Sequence, residues 1–199
     1  MIKKSVIVLV LALLQFSSYS QQVYRLDIKK SKILWNTRNA MGAHRGYLLF
    51  NSGSLNYSEK NEPVTGSFSM NMNSIRSTDH AEAADNQEVD NELRTPGFLN
   101  IDKYPAATIN VTQIVRTGGD IYKVTDDLII KGITKPIEFT SKITQKGTII
   151  QAAAELTINR LKWNINLQPE AKSWDFYAAI KDKMIEGEIP VTLNLVLVK

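Results

Sequence analysis

Apolar and polar residues alternate with period two along nearly the whole chain after residue 23, most strictly at the end. There Ile185, Gly187, Ile189, Val191, Leu193, Leu195 and Leu197 fall on one face, opposite Glu186, Glu188, Pro190, Thr192, Asn194, Val196 and Val198. Side chains of a strand point alternately to its two faces, so this pattern predicts strands with one buried side. A straight strand from Ile185 to Leu197 would reach about 43 Å at roughly 3.3 Å per residue. It must therefore coil or bend, and Pro190, which donates no ladder hydrogen bond, is expected at a bulge or an edge. Long antiparallel strands leave edges that aggregate unless the sheet closes on itself. The chain is thus expected to be all-β, an extended antiparallel barrel.

The same reading places Tyr24, Leu26 and Ile28 on one face, and likewise Ile33 with Trp35. Leu48 and Phe50 follow Gly46, and Leu55 and Tyr57 follow a turn signal at Asn51-Ser52-Gly53. Between Val64 and Met72, Phe68, Met70 and Met72 oppose Ser67, Ser69 and Asn71. Further strands are predicted at 108–114, 121–125, 128–131, 137–143, 149–158 and 163–167. Gly132 is expected at a reversal between two β-branched runs, and Asp126-Asp127 at another turn. The acidic segment 74–98 breaks the alternation. Asp85 there can cap a helix over about 86–95, with Val89 and Leu93 on its buried side.

Lys3 and Lys4 precede an apolar run from Val6 to Leu14 and small residues at Ser18 and Ser20, which predicts a signal peptide over residues 1–20 and a periplasmic or secreted product. One domain over 21–199 is expected, with formal charge lowered from +4 to +2 by loss of the two lysines. Its basic residues are scattered among acids, which argues against nucleic-acid binding. The chain has no cysteine, so core burial alone must stabilise it.

Candidate chemistry is sparse. His44 is expected on the surface or the barrel rim, and no Gly-x-Ser-x-Gly elbow supports a catalytic role. His80 lies beside Asp79, Glu82 and Asp85, but the spacing fits neither an EF-hand nor a zinc signature, so no metal site is expected. Arg160 is expected in a rim or outer-face ion pair, with contact to a lipid head group as the other reading. Asp126 and Asp127, as neighbours on a strand, could not flank one bond. No catalytic residue and no cofactor are assigned.

Three blocks carry a resemblance. They are Tyr104-Pro105 before a strand, Asp127-Leu128-Ile129-Ile130-Lys131-Gly132-Ile133-Thr134-Lys135-Pro136-Ile137, and Asn159-Arg160. With Tyr24-x-Leu26-Asp27, Ser31-x-Ile33, Leu93-Arg94-Thr95 and Phe98, they resemble the YceI-like family of bacterial lipid-binding proteins over most of the chain. Asp126 stands where that pattern has Gly, Ile129 where it has Thr, Glu92 where it has His, and Trp163-Asn164 where it has Phe-Gly. The resemblance implies a lipocalin-like barrel of about eight strands and a long polyisoprenoid or fatty-acyl ligand along its axis.

If the apolar faces point into one barrel, Trp35, Phe50, Phe68, Met70, Met72, Ile109, Ile130, Phe139, Ile158, Trp163 and Leu193 form its interior. An eight-stranded barrel either fills itself with side chains or holds one slender ligand. Gly46, Gly66, Gly132 and Gly187, with the flexible Met70 and Met72, favour a lumen with room. The expected function is an exported carrier or reservoir for a polyisoprenoid or other long-chain amphiphile, with transient contact to a membrane or membrane protein compatible with it. The rivals are a packed structural barrel and a small outer-membrane barrel. The polar faces bearing Ser67, Asn71, Glu186 and Glu188 suit lipid contact poorly.

Overall fold

The computed structural model describes residues 22–39, 42–165 and 187–199; the expected signal peptide and Ile185 lie outside them. Among the described residues the elements are β1 (Gln22–Leu26), β2 (Lys32–Asn39), β3 (Gly42–Tyr57), β4 (Pro63–Ser77), α1 (Ala83–Arg94), β5 (Ala106–Gly118), β6 (Ile121–Ile130), β7 (Ile133–Lys146), β8 (Ile149–Asn159) and β9 (Glu188–Val198). Every strand pair is antiparallel. Strands β3-β2-β9-β8-β7-β6-β5-β4 neighbour one another in that order, and β3 pairs with β4 to close an eight-stranded ring. β1 lies between β3 and β9, where it extends the place that β2 occupies further along. The expected all-β barrel with one short helix is the observed fold.

Asn51-Ser52-Gly53 is not a turn. β3 runs through it, and its pairing with β4 slips between Phe50 and Ser52. The reason is parity: Phe50 and Leu55 are both buried although an odd number of positions separates them, so one extra residue must be inserted to keep both inside. A slip between Val111 and Gln113 does the same for β5. Asp126-Asp127 also lies within a continuous strand, β6, with Asp126 inward and buried. The reversal at Gly132 is as expected, with Lys131 and Gly132 at φ 50° and 73°, the positive values of a tight hairpin.

Other expectations shift. The helix starts at Ala83, before the predicted 86, so Asp85 sits in its first turn and Glu82 takes the cap position. Ile28 is exposed, in the turn after β1. The strand predicted over 163–167 is instead a 3-10 turn, Arg160–Trp163, closed by Asn164 in the left-handed region; residues 166 and 167 lie outside the described ones. The Asn159 side chain accepts a hydrogen bond from the Leu161 N–H at 3.1 Å, an alternative to the ladder that Asn offers its own backbone. Pro190 pairs with Thr157 on β8 while β2 reaches β9 only to Val191, an edge position as expected. Pro136 likewise sits where β8 has not yet joined β7.

Tyr24, Tyr57 and Tyr122, all buried, fill one end of the barrel. The Tyr24 and Tyr57 ring centroids are 4.9 Å apart. Two of the three hydroxyls have partners: that of Tyr122 donates to Glu62 at 3.2 Å, and the Gln145 side-chain amide donates to that of Tyr24 at 3.0 Å. Such partners offset the cost of burying a phenol's polar tip.

Candidate ligand-binding site

Two cavities succeed one another along the barrel axis. The outer one holds about 1310 Å³ of space between atoms, its open mouth included. It is walled by Ile33 and Trp35 of β2, Leu48 of β3, Met72 of β4, Ile130 of β6, Ile158 of β8 and Val191 of β9, while Val89 and Leu93 of α1 flank it with Phe98 and Leu99. The inner one has far less free room, a void of about 50 Å³ against about 210 Å³ in the outer one, and is lined by Phe50, Phe68, Ile109, Val124, Phe139 and Leu193 among others. Inside it the Phe50 and Phe68 rings meet edge to face, 6.3 Å between centroids.

The strand order of the lining residues shows what separates them. On β4, Phe68 faces the inner chamber and Met72 the outer, with Met70 between; on β6 the series is Asp126, Leu128, Ile130; on β8 it is Ala154, Leu156, Ile158. Met70, Leu128 and Leu156 therefore form an apolar belt at the boundary, and Met70 and Leu128 are 3% exposed. The belt can yield by rotamer change, since Met has three rotatable bonds.

Of the residues predicted for the interior, Trp35, Met72, Ile130 and Ile158 line the outer chamber, and Phe50, Phe68, Ile109, Phe139 and Leu193 the inner. Met70 lines neither and sits in the belt. Trp163 also lines neither: its ring is buried in the core and its indole N–H donates to the Leu128 carbonyl at 3.3 Å. The glycine expectation needs correction. A Cβ on Gly46 would stand 1.8 Å from the Arg76 carbonyl oxygen and 2.6 Å from the Trp35 ring, one on Gly66 would stand 2.7 Å from the Ser54 carbonyl oxygen, and one on Gly132 would stand 3.2 Å from the Tyr104 ring. These glycines make room for the protein's own rings and bulges, not for a ligand.

Polar groups at the site are few. Asp126 lines the inner chamber with both carboxylate oxygens buried and no hydrogen-bond partner among the described residues. Burial, reinforced by the neighbouring Asp127 charge, raises its pKa to about 7. Arg160, expected at a rim or on the outer face, is buried and borders the outer chamber, and its Nη1 donates to the Ile165 carbonyl at 2.6 Å.

His44 and His80, read separately in the sequence, meet at Asp79, and His44 also borders the outer chamber. Asp79 Oδ2 lies 2.9 Å from His44 Nδ1 and 3.2 Å from His80 Nε2. Burial acts to raise the Asp79 pKa, but hydrogen bonds from His44 and the Arg45 N–H outweigh it and hold the carboxylate below its usual range. Sequence spacing could not show this meeting, because β3 and the loop after β4 supply its members.

The comparisons agree with this architecture. The family model for the YceI-like domain matches residues 24–197. Protein YceI of Escherichia coli is 32% identical over 151 residues, covering 73% of this chain and 75% of its own. A UPF0312 protein of Yersinia pestis is 34% identical over 154 residues, covering 74% and 76%. Among solved structures, BcnA of Burkholderia cenocepacia superposes with a TM-score of 0.68 at 18% identity, covering 86% of this chain and 98% of its own. A polyisoprenoid binding domain from Saccharophagus degradans superposes with a TM-score of 0.63 at 17% identity, covering 88% and 97%. With a closed barrel, an apolar two-chamber interior and a family match spanning nearly all the described strands, this chain belongs to the YceI-like family.

Proposed function

We propose that this protein is an exported, non-enzymatic carrier or reservoir for a polyisoprenoid or similar long-chain amphiphile, held along the barrel axis. The observation that carries the reading is the run of two chambers across a deformable belt, lined almost entirely by aliphatic and aromatic side chains. The outer chamber, a void of about 210 Å³, is the room that favours a ligand over a wholly packed structural barrel. Each buried methylene contributes about 0.8 kcal/mol, so a dozen carbons offer roughly 10 kcal/mol gross before ordering costs. Little head-group chemistry is then needed, which fits a wall whose selectivity is for width and length. The polyisoprenoid-binding relative of the same fold supports this ligand class, and the apolar run after Lys3 and Lys4 supports export.

Mass spectrometry of a lipid extract from the natively purified protein tests the reading. A stoichiometric long-chain lipid is expected. A preparation that carries none and takes up none after delipidation overturns it.

A further inference from the structure

We propose that His44, Asp79 and His80 form a binding site for a divalent first-row transition ion of the zinc class at the wall of the outer chamber. The proposal is independent of the lipid reading. These are the only two histidines in the chain, they come from different segments, and both are aimed at one carboxylate oxygen. One atom from each of the three side chains lies within 4.8 Å of the others. Donors around a tetrahedral ion, with bonds of about 2.0–2.1 Å, stand roughly 3.3 Å apart. The two nitrogen-to-oxygen distances, 2.9 and 3.2 Å, are already near that value, and the three donors lie within 4.8 Å of one another.

The surroundings hold the donors in place before any ion arrives. The second carboxylate oxygen of Asp79 accepts the Arg45 N–H at 3.2 Å. The Thr78 N–H donates to the Arg45 carbonyl at 2.9 Å, tying the loop to β3. Asn86 of α1 clasps His80 from the other side, its side-chain oxygen accepting the His80 N–H at 3.2 Å and its amide donating to the His80 carbonyl at 2.8 Å. Partners of this kind orient ligands and are what separates a site from a chance cluster. The His80 side chain is 37% exposed and that of His44 29%, so an ion has access from solvent. Two imidazoles and one carboxylate suit zinc, nickel or copper, and suit magnesium or calcium poorly because those prefer oxygen donors.

The test uses untagged full-length protein stripped with chelator and titrated with ZnCl2 by calorimetry, beside nitrogen-proton correlation spectra of the histidine rings. Because no third histidine exists, those spectra report on this site alone. Saturable one-to-one binding is expected, with both histidines shifting together, and His80→Ala and Asp79→Asn each weakening it at least tenfold. His80→Ala removes a part-exposed ring, so its melting temperature without metal should match the parent. Absence of saturable binding, a shift of one histidine only, or unchanged affinity in both variants overturns the proposal.

Discussion

Lys131 and Asn164, both at left-handed φ (50° and 52°), are joined by a hydrogen bond from the lysine Nζ to the asparagine carbonyl at 2.6 Å. The same ammonium reaches the Pro96 carbonyl at 3.2 Å. One side chain thus ties the β6–β7 hairpin to the turn after α1 and to the 3-10 turn after β8, three segments gathered at the outer-chamber end of the barrel. Burial lowers the Lys131 pKa, the cost of placing a cation where carbonyls can use it.

Lys131→Met keeps the stem and removes the donor. Hydrogen bonds to a charged group contribute roughly 1.5–3 kcal/mol where they are buried, and less when part-exposed as here. The expected loss is about 1–2 kcal/mol, or several degrees at roughly 2–4 °C per kcal/mol. Thermal unfolding by circular dichroism checks it; an unchanged melting temperature would show the tie to be idle.

Asp126 makes stability depend on pH. Its pKa is raised from 3.8 to about 7, so the folded protein binds more protons than the unfolded chain in that interval. Stability from this group is complete below about pH 4, falls as pH rises toward 7, and is flat above. The span is a few kcal/mol at most, given about 1.4 kcal/mol per unit. Subtracting the Asp126→Asn stability curve from the parent curve should show that fall between pH 4 and 7. A flat difference would mean that the carboxyl is solvated or paired.

Gly46→Ala tests the close approach of β3 to β4. The new Cβ meets backbone, the Arg76 carbonyl oxygen at 1.8 Å, and backbone cannot swing aside as a side chain can. Overpacking of this kind typically costs about 1–3 kcal/mol and sometimes more. Gly118→Ala, with nothing within 4 Å, should be neutral within about 0.5 kcal/mol. Equal denaturant midpoints for the two variants would contradict the packing.

These positions show how far the sequence could be read. The period-two pattern marked most of the strands, the inward faces of β4 and β9 and the hairpin at Gly132, because alternation and turn chemistry are local; it failed at 163–167, where the chain makes a 3-10 turn. It misread Asn51-Ser52-Gly53 and Asp126-Asp127 as turns, since a bulge uses turn-like residues without reversing the chain, and a buried carboxylate looks like a loop residue. It put Val89 and Leu93 on the buried side of α1 but could not show that this side flanks the outer chamber, or that His44 meets His80. Those depend on where α1 and the loop after β4 pack, which no periodicity records. Trp163 was assigned to the lumen by its apolar character alone, whereas its indole N–H needed the Leu128 carbonyl and carried the ring into the core.

The two-chamber interior predicts a chain-length effect. Delipidated protein titrated with saturated alcohols of rising length should gain stability as RT ln(1 + [L]/Kd), about 2.7 kcal/mol at a hundredfold excess over Kd, and affinity should climb with each carbon until both chambers are filled. Met70 stands in the belt between the chambers, so Met70→Trp should leave short alcohols unaffected while stopping the gain for long ones, shortening the plateau rather than lowering the whole curve. Thermal shift across the series in both proteins reads the difference. If the parent shows no dependence on length, the interior is closed to lipid. If parent and variant reach their plateau at the same length, ligand does not pass the belt and the outer chamber alone is the binding site.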